Sequence, residues 1–130
     1  MNILTIRTDK PLSEVALFNE SQKIDEIKWE AYRSLADTIH TKIEQLLKSN
    51  KLDWQDIGGL ACYKGPGSFT GLRIGLSVAN ALSYILKCPI ISQTGKDWQS
   101  KGIKRLLRGE NEKITLPEYD SEAKITKPKK

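Results

Sequence analysis

The chain is poor in the residues that most often carry out chemistry. Its 130 residues include one histidine, two cysteines and one methionine. A single histidine and no paired-cysteine spacing exclude the common zinc sites, which need four nitrogen or sulfur ligands. Cys62 and Cys88 make no disulfide framework. Both lie in apolar sequence at the ends of predicted core elements, where a free thiol behaves as a small hydrophobe. His40, between Ile39 and Thr41 in a predicted amphipathic helix, has no matching nucleophile or ligand, and reads as a surface or satisfied histidine rather than a base. Long apolar runs are missing as well. The longest uncharged stretch, Ile74 to Leu86, has 13 residues, short of the roughly 20 that cross a bilayer. The N-terminus lacks the charged-then-apolar plan of a signal peptide, and a cytoplasmic location is the expectation.

What is present suits one soluble α/β domain. Hydrophobic residues make up 38% and charged residues 28% of a chain long enough for a single core. The net charge of +5 is unevenly placed. Residues 1–95 hold 11 Lys/Arg against 10 Asp/Glu, and residues 96–130 hold 10 against 6. The basic last quarter reads either as a solvated tail or as a contact for nucleic acid or an acidic surface, since clustered cations attract phosphate. Within its densest stretch, Lys101 to Arg108, no aromatic residue interleaves the cations to stack on bases.

Periodicity predicts the order β-β-β-α-β-α-β. Ile3 to Thr8, Glu14 to Asn19 and Lys23 to Glu30 read as an antiparallel meander. Over 32–49 the period switches, with Tyr32, Leu35, Ile39, Ile43, Leu46 and Leu47 on one helical face. The unbroken apolar run Gly59 to Tyr63 predicts a strand buried on both sides. Phe69 to Lys87 predicts a second helix and Pro89 to Ser92 a fifth strand. Gln99 to Arg108 could add a short basic helix with Ile103, Leu106 and Leu107 as its apolar face. Residues 110–130 read as an extended tail. The expected division is a lobe over 1–95 and a helix with tail over 96–130.

The most informative segment joins the fourth strand to the second helix: Gly65-Pro66-Gly67-Ser68-Phe69-Thr70-Gly71. Ser68 is the expected N-cap. The glycine spacing is one residue too long for a dinucleotide fingerprint, and no Gly-Lys-Ser/Thr follows. From chemistry alone the loop is either a structural turn or an anion site at a helix N-terminus. The second reading would make the chain a small nucleotide-binding domain.

As a string, residues 65–75 resemble the signature of the TsaB (YeaZ) family, the non-catalytic partner of TsaD in synthesis of threonylcarbamoyladenosine on tRNA. The similarity runs from Ile3 through Pro89-Ile90-Ile91. It returns at Leu116-Pro117-Glu118-Tyr119 and Ile125-Thr126-Lys127-Pro128-Lys129-Lys130, which look like the family's C-terminus. The resemblance implies a ribonuclease-H-like lobe, as in actin and the Hsp70 ATPase domain. It also implies a TsaD-like partner or a homodimer through the same helices, with a TsaE-like ATPase and tRNA in the larger complex. Two departures stand out. Arg7-Thr8-Asp9 replaces the family's Asp-Thr-Ser, and an arginine there cannot hold Mg²⁺, while Asp9 lies about 7 Å further along a strand. Only the 20 residues Thr94 to Lys113 separate the lobe from the tail, too few for a second lobe and its cleft. The expectation is therefore a family member reduced to its first lobe plus tail, with no catalytic, cofactor or metal site. Lys101 to Arg108 is the stretch that could touch tRNA.

On a wheel at 100° per residue, Gly71, Gly75, Ala79 and Ser83 form a ridge of small side chains. Ile74, Val78, Leu82 and Leu86 flank it on one side, Leu72 and Leu76 on the other. This uncharged face covers roughly 200°, about twice what a one-sided helix needs. Either the first helix fills the groove, or the two helices offer a surface to another protein. Carried over from the family, the partner interface is Leu35, Ile39 and Ile43 with Gly71, Gly75, Leu76, Ala79 and Ser83. On that expectation Gly75→Leu or Ala79→Trp leaves the monomer folded and abolishes association.

Overall fold

Two short apolar runs near the N-terminus, Ile3 to Ile6 and Val15 to Phe18, anchor a three-stranded meander. In the computed structural model, which describes residues 1–118, β1 (Asn2–Arg7), β2 (Leu12–Asn19) and β3 (Gln22–Glu30) pair antiparallel. A 3-10 turn at Tyr32–Ser34 leads into α1 (Leu35–Ser49). Then come β4 (Ile57–Tyr63), α2 (Phe69–Leu86), β5 (Ile90–Gln93) and α3 (Trp98–Leu107). β4 joins β1, and β5 joins β4, both in parallel, so the sheet runs β3-β2-β1-β4-β5.

Both faces of the sheet are covered. On one, Ile39, Ile43, Leu46 and Leu47 of α1 and Leu76, Ala79 and Leu82 of α2 share a core with Leu4, Ile6, Val15, Leu17 and Leu60. On the other, Ile103 and Leu106 of α3 pack with Ile3, Ala61 and Ile91. β4 is thus buried from both sides, which accounts for its apolar run. By length and hydropathy α2 sits at the margin of a membrane-spanning helix, yet its Leu72, Leu76 and Leu82 are turned into this protein core.

Two local expectations change. Tyr32 precedes the first α-helix, at a φ of 46°, and its side chain is exposed rather than on the apolar face. Leu107 is exposed too, and Trp98 takes its place in the core. A ten-residue helix offers one stripe to the sheet, and Trp98, Gly102, Ile103 and Leu106 occupy it.

After α3 the chain returns along the sheet edge as a strap over residues 110–118. The Glu112 amide donates to the Ile90 carbonyl (2.8 Å), and the Ile90 amide donates to Asn111 Oδ1 (3.1 Å). Asn80 on α2 grips the strap with its side-chain amide: Nδ2 donates to the Thr115 carbonyl (3.0 Å), while Oδ1 accepts from the Thr115 amide (2.9 Å) and hydroxyl (3.2 Å). The Glu118 amide closes the run on the Lys64 carbonyl (2.7 Å). Residues 119–130, including Tyr119 and the Ile125 to Lys130 stretch, lie outside the described residues. Asn80→Ala removes all three bonds at Thr115. It should cost about 1–2 kcal/mol, seen as a lower thermal midpoint, and should speed tryptic cleavage after Lys113.

Much of the charge on the basic helix is paired within the chain. Arg105 pairs with Glu110 (2.7 Å) and Glu112 (2.8 Å) and donates to the Ser92 carbonyl and Gln93 Oε1 (2.9 Å each). Arg108 pairs with Glu110 (2.8 Å) and Lys101 with Asp97 (3.4 Å). Hydrogen bonds from Arg105 and Arg108 hold the Glu110 carboxyl below its usual range. Of the Lys101 to Arg108 stretch, then, these three cations are engaged within the chain.

Candidate functional site: the glycine-rich loop and the helix pair

The loop sits at the carboxyl ends of β1 and β4. Ser68 caps α2 as its sequence position suggests, accepting from the Gly71 amide (3.5 Å). Its own amide donates to the Asp9 carbonyl (3.2 Å), tying the loop to the end of β1. The glycines serve this packing. A Cβ on Gly67 would fall on the Asp9 side chain, and one on Gly71 would collide with the Thr8 carbonyl. Gly65 has a φ of +112° and lies against the Glu118 carbonyl of the strap. Backbone approaches backbone here, so the glycines make room for the chain itself.

A ribonuclease-H-like fold implies nucleotide phosphate and a metal ion at these strand ends, held by carboxylates. The residues do not fit that group. The Asp9 carboxylate is engaged on both oxygens by Arg7, at 2.7 Å from Nε and 3.3 Å from Nη2. The same guanidinium lies 3.9 Å from the Tyr63 ring centroid, and Asp9 holds its pKa above the usual arginine value. Sequence reasoning identified Arg7 and Asp9 but missed Tyr63 and Trp98. Only the register that pairs Ile6 with Cys62 brings Arg7 beside Tyr63, 56 positions away. No local pattern announces that pairing.

The structure places the eight expected interface residues inside the chain. Leu35, Ile39, Ile43, Gly75, Leu76, Ala79 and Ser83 are buried and Gly71 is half-buried. The small-residue ridge faces the sheet: a Cβ on Gly75 would strike Thr8 Oγ1, and Thr8 donates to the Gly71 carbonyl (2.7 Å). Ser83 Oγ donates to the Cys88 carbonyl (2.7 Å). In this conformation these side chains are covered by the chain itself, whereas the interface carried over from the family needs them at the surface. The notch is filled by the end of β1.

One flank of the ridge does remain open. Ile74 and Val78 are only half-buried, and with Ala36, Thr70, Arg73 and Ser77 they line a groove of about 380 Å³ between α1 and α2. Ala36, Arg73 and Ser77 are exposed. The wheel marked Ile74 and Val78 as apolar, whereas nothing in the sequence singled out Ala36. His40 lies one turn beyond Ala36 on α1, exposed.

Both cysteines are buried and free. Burial pushes both thiols up, Cys62 far above its usual range. Since the thiolate is the reactive form, the native protein should leave Cys62 unlabelled by a thiol reagent at pH 8, whereas denaturation should expose two thiols. Stoichiometric labelling of native Cys62 would contradict the packing described.

Comparison with known proteins gives a consistent result. The family model for TsaD, tRNA N6-adenosine threonylcarbamoyltransferase, matches residues 29–92. The chain is 30% identical over 118 residues to the tRNA threonylcarbamoyladenosine biosynthesis protein TsaB of Escherichia coli, covering 82% of this chain and 48% of that one. With TsaB of Bacillus subtilis it shares 32% identity over 90 residues, 69% of this chain and 39% of that one. A solved structure, an uncharacterized Pseudomonas aeruginosa protein with similarity to peptidase YeaZ, superposes with a TM-score of 0.67 at 25% identity, covering 72% of this chain and 43% of that one. The chain spans about half the length, or less, of the curated relatives it matches.

Proposed function

Because the chain belongs to the TsaB (YeaZ) family and has its ribonuclease-H-like fold, we propose that it acts in tRNA threonylcarbamoyladenosine formation as a non-catalytic dimerisation subunit. It binds a TsaD-like catalytic subunit through α1 and α2. The observation that supports this most is the uncovered flank of α2. Ile74 and Val78 stay half-exposed beside small or short residues, Ala36 and Ser77, leaving a channel between two near neighbours on one sheet face. A helix laid into that channel would pack ridge into groove and remove both apolar side chains from water. The contact residues are then the outward neighbours of those read from the sequence: Ala36, Thr70, Arg73, Ile74, Ser77 and Val78.

A second copy could use the same groove, giving a homodimer that competes with the heterodimer. The TsaE-like ATPase and tRNA would join through the catalytic subunit, in the cytoplasm. A non-catalytic role is supported by the strand ends, where Asp9 is committed to Arg7 rather than to a metal or substrate.

Co-expression with the TsaD-like protein of the same host, followed by affinity purification on one subunit, tests the proposal. The expected result is a stoichiometric complex that survives gel filtration. Migration as two separate species at micromolar concentration would refute it. ATP or ADP binding at micromolar affinity, lost on changing Gly67 or Ser68, would favour a nucleotide-binding domain instead.

A further inference from the structure

The Arg7 cluster is more than a substituted metal ligand. Its carboxylate and ring are arranged in complementary ways around one planar cation. Asp9 meets the edge of the guanidinium with both oxygens. Tyr63 meets its face at 3.9 Å from the ring centroid, well within the ~6 Å over which a cation is attracted to an aromatic face. Tyr63 is itself fixed, by an edge contact to Trp98 (centroids 5.9 Å apart, planes at 67°) and a hydrogen bond from its hydroxyl to the Pro66 carbonyl (3.3 Å). Asp9, Tyr63 and Trp98 are all buried.

We propose that Asp9 and Tyr63 form a guanidinium site which the chain fills with its own Arg7, and that this occupancy latches the glycine-rich loop and the start of α2. The connection to the loop is direct. Asp9 receives the Ser68 amide on its carbonyl and packs against Gly67, while Tyr63 holds Pro66. Three consecutive loop residues therefore depend on the two groups that grip the cation. A planar ion is required, because only a guanidinium offers two parallel N–H donors along an edge and a flat face for the ring. An ammonium ion supplies charge without that plane. With Arg7 absent, Asp9 is a buried carboxylate without its cation, and the loop loses its support.

The test uses the whole chain and chemical rescue. In Arg7→Ala, amide hydrogen exchange in segments covering residues 67–71 should rise at least tenfold over the wild type. Millimolar methylguanidinium should return it towards the wild-type rate, and equal methylammonium should not. Arg7→Ala combined with Asp9→Asn should show no rescue. If Arg7→Ala does not fold, Arg7→Lys serves, with exchange at the loop again raised at least tenfold despite the retained charge. Unchanged loop exchange in the variant that folds, or equal rescue by both cations, would overturn the proposal.

Discussion

Gly75→Leu is expected to destabilise the fold severely. Gly75 lies at the middle of the small-residue ridge, and even a Cβ there would strike the Thr8 hydroxyl. Thr8 has little room to retreat. It is buried, it follows directly on β1 at the centre of the sheet, and its hydroxyl is hydrogen-bonded to the Gly71 carbonyl (2.7 Å). A leucine must therefore push α2 off the sheet. Overpacking in a core that can adjust costs about 1–3 kcal/mol, and here the obstruction is a strand end, so a loss of more than ~3 kcal/mol is expected, against the 5–15 kcal/mol that typically holds a domain together. Thermal or denaturant unfolding would show it as a collapsed midpoint. Ala79→Trp should behave alike, since Ala79 is fully buried in the same core. A folded Gly75→Leu protein that merely fails to associate would restore the outward-facing ridge.

Ser77→Trp is expected to do the opposite: to spare the fold and weaken association. Ser77 is exposed, on the lip of the groove beside Ile74 and Val78. Surface changes away from caps and strained backbone usually stay within about 0.5 kcal/mol, so the thermal midpoint should barely move. An indole there would fill the channel a partner helix needs. Blocking the centre of an interface typically costs 2 kcal/mol or more, so affinity for the TsaD-like subunit should fall about 100-fold, or ~2.7 kcal/mol. Calorimetry or sedimentation on the purified pair would measure it. The two variants lie two residues apart on one helix and are predicted to fail in different ways. Together they separate a ridge that holds the fold from a flank that holds a partner.

The contrast shows what sequence carries here. Element order was legible because these patterns are local: the short apolar runs of β1 and β2, the 3.6-residue spacing of Leu35, Ile39 and Ile43, and the apolar run of β4 each predict their element without knowledge of its neighbours. The cap at Ser68 was legible for the same reason. Direction was not. A wheel shows that α2 is apolar over a wide arc, but which part meets the sheet depends on where β1 ends, and Thr8 is 67 positions from Gly75. Small residues four apart suit a close strand end as well as a close helix, so the spacing alone does not name the neighbour. The Arg7 stack failed for a similar reason, since Tyr63 and Trp98 meet it only through parallel pairing and the packing of α3. The strap gives no periodic signal, because its order comes from two isolated backbone bonds, at Glu112 and Glu118, and from single side chains, Asn80, Asn111 and Arg105.

Hydrogen exchange on the chain with and without its TsaD-like subunit tests the central claim most directly. Protection is expected at the start of α1 around Ala36 and along α2 from Thr70 to Val78, with the β2–β3 hairpin and α3 unchanged. A complex that protects α3 or the sheet edge instead, leaving the α1–α2 groove exchanging as in the free chain, would contradict it.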